Sequence, residues 1–128
     1  MFDELSNLHK KCFPSKPWSA DDFRDLKKSG CEIIVSQNGF IVYRVAVDEA
    51  EIITIGVNPE MRRKGIASAM IAIVEKTIKN QGVKKLFLEV ASNNSAGKKL
   101  YENCGFNVVG LRPKYYDGVD AILMSKDI

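Results

Sequence analysis

The sequence predicts an α/β fold in which a mixed, mostly antiparallel twisted sheet is flanked by helices. The β-branched run Ile52–Val57 indicates a buried strand, and apolar residues recur at helical spacing from Ile66 onward. Because two strands joined through a helix normally form a right-handed crossover, the next apolar run, Lys85–Val90, is expected to lie parallel to the first. Since the sequence contains no repeat or linker, residues 1–128 are expected to form one domain.

The first half of the chain is predicted to form two helices and three strands. A helix spans about Asp3 to Cys12, and Ser19 is a natural N-cap for a short helix from Ala20 to about Lys28. The dipeptide Asn38-Gly39 predicts a hairpin between two apolar runs. The three strands are expected at Glu32–Val35, Phe40–Val45 and about Glu51–Val57. An acidic turn at Asp48–Ala50 is expected to precede the third strand.

The second half begins with the helix from Ile66, which is expected to end near Asn80 because Gly82 can take the left-handed capping conformation. Another helix follows the strand Lys85–Val90, and two further strands close the sheet as a hairpin. These last elements are expected at about Ser95–Cys104, Phe106–Gly110 and Ala121–Met124, with Tyr115 and Tyr116 in the final loop.

Composition excludes several classes of protein. The net charge of +3 is too small to indicate nucleic acid as a direct partner, and no apolar stretch approaches the roughly 20 residues that span a membrane. Three cysteines without a Cys-x-x-Cys pair indicate reduced thiols and a cytoplasmic location. His9 is the single histidine, so the sequence predicts no metal site rich in histidine.

The most informative segment is the basic run from Arg62 to Gly65, which lies between a predicted strand and a predicted helix. The first backbone N–H groups of a helix lack intrahelical partners, and the positive end of the helix dipole attracts anions. Neither the P-loop spacing nor Gly-x-Gly-x-x-Gly is present. The segment therefore predicts a phosphate-bearing ligand, with an ordinary basic helix start as the alternative.

Within this segment Arg62, Gly65 and Ala67 give the pattern Arg-x-x-Gly-x-Ala, which resembles the Gln/Arg-x-x-Gly-x-Gly/Ala signature of the GNAT N-acetyltransferases. The block Asn94–Phe106 is similar to the family's Asn-x-x-Ala-x-x-Leu-Tyr-x-x-x-Gly-Phe, with Gly97 in place of the usual alanine. The resemblance implies the GNAT fold and acetyl-coenzyme A as co-substrate, held by its pyrophosphate. The cofactor-binding residues that it implies are Ile55, Val57, Arg62, Arg63, Lys64, Gly65, Ile66, Ala67, Ser68 and Asn94.

Further stretches resemble one subgroup, the RimI-type ribosomal-protein alanine N-acetyltransferases. They are Pro17–Ser19, Asp48–Ala50, Tyr115-Tyr116 and Asp120–Met124. This resemblance implies acetyl transfer to the N-terminal α-amine of a small-subunit ribosomal protein, with Trp18, Tyr115 and Tyr116 on the acceptor side. The structural alternatives are a core position for Trp18 and an exposed turn for the tyrosines.

Two residues are candidates for the chemistry. Glu89 is the only ionisable residue between Leu86 and Ala91, and the resemblance makes it the general base, acting directly or through water. It also makes Tyr101 the general acid for the coenzyme thiolate. The alternatives are a solvent-facing carboxylate and a packed tyrosine.

Asn94 would either bind the pantetheine arm or cap the following helix, a role for which Asn93 competes. The resemblance also implies that a backbone N–H at or beside Val57 holds the developing oxyanion.

The chain departs from the family pattern at its start. The family opens with a strand, whereas here Met1 leads almost directly into a helix, so the first strand is missing from the predicted order. The strand at Glu32 is then expected to be an exposed edge, which another subunit could cover. We expect a monomer or a weak homodimer. Two other functions stay open: acetylation of a small amine such as a polyamine or amino sugar, and a non-catalytic module that binds coenzyme A.

Overall fold

A computed structural model of the chain describes residues 1–116 and 118–128, with the side chain of Tyr116 outside the description. The described residues form four α-helices and six strands. The helices are α1 (Phe2–Cys12), α2 (Ala20–Lys28), α3 (Ile66–Asn80) and α4 (Ser95–Asn103). The strands are β1 (Glu32–Val35), β2 (Gly39–Ala46), β3 (Glu49–Val57), β4 (Lys85–Ala91), β5 (Asn107–Tyr116) and β6 (Val119–Asp127). A short 3₁₀ helix, Pro59–Met61, follows β3.

The strands form one sheet in the order β1-β2-β3-β4-β6-β5. Strands β3 and β4 are parallel and are connected through α3, as predicted. The pairs β1–β2, β4–β6 and β5–β6 are antiparallel. The predicted mixed, mostly antiparallel α/β fold is therefore confirmed. Strand β1 lies at one end of the order, as expected for the strand at Glu32.

The chain divides into two compact units, Met1–Arg44 with Ile53–Val74 and Val45–Ile52 with Glu75–Ile128. Each unit has buried apolar residues of its own. In the first unit these include Leu5, Phe23, Cys31, Phe40 and Val42. In the second they include Leu86, Leu88, Val90, Phe106 and Met124. The assignment of the whole chain to one domain stays a prediction.

Local chemistry accounts for the start of α2 and the end of α3. Ser19 forms a capping box with Asp22, in which each side chain accepts a hydrogen bond from the other residue's backbone N–H. Along α3 the residues Met70 and Val74 are buried, as the helical spacing predicts. Gly82 has φ +83°, the left-handed conformation expected just after this helix.

The predicted acidic turn at Asp48–Ala50 is wrong in its position. Glu49 and Ala50 already belong to β3, where they pair with Lys85 and Leu86 of β4. The turn instead lies at residues 47 and 48, where Val47 has φ +59°. Pairing with a neighbouring strand, which local turn chemistry does not reveal, decides where β3 begins.

The hairpin at Asn38-Gly39 is confirmed, since Val35 of β1 pairs with Phe40 of β2. The glycine is needed there for space. A Cβ on Gly39 would lie 2.9 Å from Met70 Cε and 3.0 Å from the Gly56 carbonyl oxygen. Close packing against β3 and α3 therefore accounts for this glycine.

The predicted loop position of Tyr115 and Tyr116 is also wrong, because both residues belong to β5. The last two strands are longer than predicted and pair as far as Tyr116 with Val119. The pairing is irregular between Arg112 and Tyr116. Within it Lys114 has φ +52°, and its backbone N–H donates to Asp120 Oδ1 at 2.8 Å.

Candidate functional site

The basic segment forms a tight, exposed loop between the 3₁₀ helix and α3, in the first unit. Arg63 and Gly65 have φ values of +64° and +78°, so the backbone turns through the left-handed region twice within three residues. The carbonyl of Gly65 accepts from Ala69 N–H at 3.0 Å, which is the first backbone bond of the helix. A Cβ on Gly65 would meet nothing within 4 Å. The loop therefore leaves open space at a helix N-terminus with Arg62 and Lys64 exposed beside it.

The end of β3 is held by side chains from both directions along the chain. The Cys12 thiol donates to the Val57 carbonyl at 3.2 Å, and Arg62 Nε–H donates to the same oxygen at 3.2 Å. The next backbone N–H, of Asn58, donates to the Asn38 carbonyl at 2.7 Å. Val57 and Arg62, both predicted as cofactor-binding residues, are thus brought together. Ile55 lies in β3, and Ile66, Ala67 and Ser68 lie in the first turn of α3.

Trp18 belongs to an aromatic cluster at the α1–α2 connection. Its ring stacks on His9 with centroids 4.7 Å apart and meets Phe23 edge-on at 5.6 Å. Its backbone N–H donates to His9 Nδ1 at 3.0 Å, and its carbonyl accepts from the Ser6 hydroxyl at 2.8 Å. His9 is buried, and this burial lowers its pKa from the ordinary value of 6.5 although Asp22 acts in the opposite direction. The half-buried Trp18 packs against the core of the first unit, as its structural alternative expects.

Glu89 lies in the second unit, on the face of β4 opposite Leu88, and the alternation of buried residues along this strand is as predicted. Its side chain is only 16% exposed, and its Oε1 lies 3.2 Å from Nη2 of Arg112. The guanidinium of Arg112 also lies 5.0 Å from the centroid of the Tyr115 ring. The structure therefore brings a largely buried carboxylate, a cation and one predicted acceptor-side tyrosine together. The Tyr116 side chain lies outside the described residues.

Tyr101 and Asn94 belong to α4 and its N-terminus. Tyr101 is buried, with 8% of its surface exposed, and its ring meets Phe106 at 6.1 Å in an edge-on arrangement. The Asn94 side chain accepts from Gly97 N–H at 2.9 Å, so it caps the helix as its structural alternative expects. A Cβ on Gly97 would lie 2.6 Å from Asn94 Nδ2. A residue larger than glycine at this position would therefore require the Asn94 side chain to shift.

Sequence reasoning missed three residues that the structure brings into these sites. Arg112 reaches Glu89 from β5 across β6, which requires the strand order to be known. Cys12 reaches Val57 over 45 residues of sequence. The sequence uses His9 only to argue against a metal site rich in histidine, whereas in the structure His9 supports Trp18.

No group of three or more His, Cys, Asp or Glu side chains among residues 1–116 and 118–128 is arranged to hold a metal ion. In the same residues no helix has the length and apolar character needed to cross a bilayer.

A parallel strand pair joined through a basic, glycine-containing loop and a helix, inside a mostly antiparallel sheet, is the arrangement expected of a GNAT N-acetyltransferase. The model of the acetyltransferase (GNAT) family matches residues 2–106. The chain belongs to the GNAT family.

Individual relatives agree with this assignment. The chain is 35% identical over 121 residues to the [ribosomal protein bS18]-alanine N-acetyltransferase of Escherichia coli strain K12, covering 88% of this chain and 82% of the relative. The crystal structure of the ribosomal-protein-S18-alanine N-acetyltransferase from Escherichia coli superposes with a TM-score of 0.88 at 29% identity, over 99% of this chain and 87% of that chain.

A Bacillus subtilis acetyltransferase solved in complex with CoA has a TM-score of 0.80 at 19% identity, over 98% of this chain and 92% of that chain. At this identity the likeness concerns the fold alone. Acetyl-CoA is the co-substrate of GNAT enzymes.

Proposed function

We propose that this chain transfers an acetyl group from acetyl-CoA to the N-terminal α-amine of a protein, namely the N-terminal alanine of a small-subunit ribosomal protein. The observation that carries the proposal is the 35% identity, over 88% of the chain, to an enzyme named for alanine acetylation of ribosomal protein bS18. A cytoplasmic location follows from such a substrate. The enzyme is proposed to act as a monomer or weak homodimer, without direct nucleic-acid contact.

The loop from Arg62 to Ser68 is proposed to hold the pyrophosphate of acetyl-CoA. Its left-handed residues Arg63 and Gly65 turn the backbone at the N-terminus of α3, where N–H groups and the helix dipole favour an anion. The open space at Gly65 lets a diphosphate approach the backbone. The bound thioester supplies the activated acetyl group. Ile55, Val57 and Asn94 are proposed to contact the rest of the coenzyme.

Glu89 is proposed to take the proton from the attacking amine, directly or through water. An α-amine has a pKa of about 8, so only a weak base is needed near neutral pH. The ion pair with Arg112 supports the proposal because it fixes the carboxylate in one direction. As the new bond from nitrogen to the acetyl carbon forms, the proton passes from nitrogen to this base.

Tyr101 is proposed to donate a proton to the coenzyme sulfur as the carbon–sulfur bond breaks. A free thiol has a pKa of about 8.5, so protonation makes the thiolate a better leaving group. Packing against Phe106 supports this role, because it restricts the orientation of the phenol ring. Trp18, Tyr115 and Tyr116 are proposed to line the acceptor side.

Release of free coenzyme A should be measured with three classes of acceptor. They are a peptide with the N-terminal sequence Ala-Arg, the same peptide with an acetylated N-terminus, and a panel of polyamines and amino sugars. We expect thiol release with the free peptide alone. Turnover of a small amine without turnover of the peptide would replace this proposal with the small-molecule alternative. Binding of coenzyme A without turnover of any acceptor would support the non-catalytic alternative.

The role of Tyr101 has its own test. Tyr101→Phe should lower kcat by about 100-fold, the lower range for loss of an acid–base group. Tyr43→Phe is the matched control, because Tyr43 is also a buried tyrosine but lies in β2 of the first unit. Equal kcat values for Tyr101→Phe and the unmodified enzyme would assign Tyr101 to packing.

A further inference from the structure

The carbonyl of Val57, the last residue of β3, accepts two side-chain hydrogen bonds. The donors are the Cys12 thiol at the end of α1 and Nε–H of Arg62 at the start of the basic loop, each at 3.2 Å. A carbonyl oxygen has two lone pairs, so both bonds can form at once. One atom therefore connects α1, the end of β3 and the loop.

The peptide group that follows Val57 is held on its other side as well. Its N–H, which belongs to Asn58, donates to the Asn38 carbonyl at 2.7 Å. Both polar atoms of this peptide group are therefore bonded, which fixes the direction of the chain as it leaves β3. Asn58 in turn caps the 3₁₀ helix by accepting from Glu60 N–H.

Gly56 leaves the space that Cys12 occupies. A Cβ at Gly56 would lie 3.0 Å from Cys12 Sγ, so a larger residue would displace the thiol from Val57. Burial raises the pKa of the Cys12 thiol above its ordinary value of 9.0, although Arg62 opposes this shift. The group is therefore a protonated S–H donor at neutral pH, as the bond to a carbonyl requires.

We infer that Cys12 is a positioning residue for acetyl-CoA, acting through the Val57 carbonyl together with Arg62 to set the course of the loop that holds the diphosphate. The inference rests on the proposed function, since it concerns the same coenzyme site. Cys12 need not contact the coenzyme for this role. Its contribution is to reduce the number of conformations that the loop must lose on binding.

Three variants separate this role from simple packing. Cys12→Ala removes the donor without adding bulk, and Cys12→Ser keeps an O–H donor at the same position. Cys31→Ala makes the same chemical change at a fully buried cysteine in the core of the first unit. The measurements are the affinity for coenzyme A by calorimetry, KM for acetyl-CoA, kcat and the thermal midpoint of unfolding.

Cys12→Ala should raise both the dissociation constant for coenzyme A and KM for acetyl-CoA by about three- to tenfold, the effect expected for one lost hydrogen bond. We expect kcat to change by less than about twofold. The loop should hold the coenzyme equally in the bound ground state and in the transition state, so its loss raises KM rather than lowering kcat. Cys12→Ser should restore most of the affinity. Cys31→Ala should lower the thermal midpoint and leave KM unchanged.

An unchanged KM in Cys12→Ala, or equal losses in Cys12→Ala and Cys12→Ser, would overturn the inference. Equal rises in KM for Cys12→Ala and Cys31→Ala would also overturn it, since general destabilisation would then suffice. Failure of the proposed function is distinguishable from these outcomes. In that case the unmodified chain itself would show no heat of binding with coenzyme A.

Discussion

Arg112 of β5 reaches across β6 to Glu89 of β4, with 3.2 Å between Nη2 and Oε1. The carboxylate is 16% exposed and the guanidinium side chain is 52% exposed. The ion pair therefore joins a sheltered carboxylate to a solvent-facing guanidinium group. Because Arg112 is so exposed, we expect its contribution to the free energy of unfolding to be about 1 kcal/mol or less. Its larger effect should be on the orientation of Glu89.

The first prediction concerns this pair. Glu89→Gln should lower kcat by about 100-fold, as expected for loss of a general base. Arg112→Gln should lower kcat less, and Arg112→Lys should recover part of the loss because it keeps the charge but not the planar fork. In the double variant the Arg112 substitution should have little further effect, since no carboxylate is left to orient.

Steady-state kinetics with acetyl-CoA and the Ala-Arg peptide provide the measurement for these variants. Lys126→Gln is the matched control, because Lys126 forms another ion pair in the second unit, at 2.7 Å to Glu75. It should affect stability but leave kcat unchanged. Additive losses in the double variant would show that Arg112 acts independently of Glu89.

The second prediction concerns the pH dependence of stability. Burial lowers the pKa of His9 below 6.5, whereas the unfolded chain titrates near that value. Below about pH 6.5 the unfolded state therefore binds more protons than the native state. The contribution of neutral His9 is fully present above this pH and is lost as the pH falls toward the pKa of the folded state. The slope from this single group cannot exceed about 1.4 kcal/mol per pH unit.

Urea unfolding between pH 7.5 and pH 5 measures this effect. His9→Gln keeps an acceptor for the Trp18 N–H but does not titrate, so its stability should fall less over this range than that of the unmodified chain. Parallel curves for the two proteins would contradict the assignment of the pH effect to His9.

The third prediction separates strain from binding at the basic loop. Gly65 and Gly82 have φ values of +78° and +83°, and a Cβ at either residue would meet nothing within 4 Å. Substitution by alanine should therefore cost about 1–2 kcal/mol of stability at each position. Only Gly65→Ala should also weaken coenzyme A binding, by about tenfold, because the methyl group enters the space proposed for the diphosphate.

Chemical denaturation and calorimetry on these two variants complete the comparison. Gly82→Ala acts as the control for strain, since Gly82 follows the other end of α3. Equal affinities for coenzyme A in the two variants would be evidence against the loop as the diphosphate site.

The fourth prediction concerns packing at the end of β3. A Cβ on Gly56 would lie 2.7 Å from Phe40 Cε1 and 2.8 Å from Cζ. Gly56→Ala should destabilise the chain by about 1–3 kcal/mol, the usual cost of overpacking. Phe40→Leu in the same chain should recover part of this loss by giving the methyl group room, so the two effects should be less than additive. Thermal unfolding of the two single variants and the double variant tests this coupling.

The sequence by itself determined the types and order of the elements and the identity of the loop. Helical spacing from Met70 to Val74, the Ser19 cap and Gly82 are local signals that depend on residues within a few positions of one another. The Arg62–Ala67 pattern and the block at Asn94–Phe106 were equally local, and the family they indicated is confirmed. The roles of Glu89 and Tyr101 stay predictions.

Tertiary structure decided which side chains meet and where strands end. Tyr115 lies in β5 because pairing with β6 continues beyond the predicted turn. Arg112 of β5 can reach Glu89 of β4 because only β6 lies between these two strands in the sheet. Cys12 and Val57 are 45 residues apart, and only the packing of α1 against the end of β3 joins them. Periodicity reports on the residues of one element, whereas these contacts depend on the order and register of several elements.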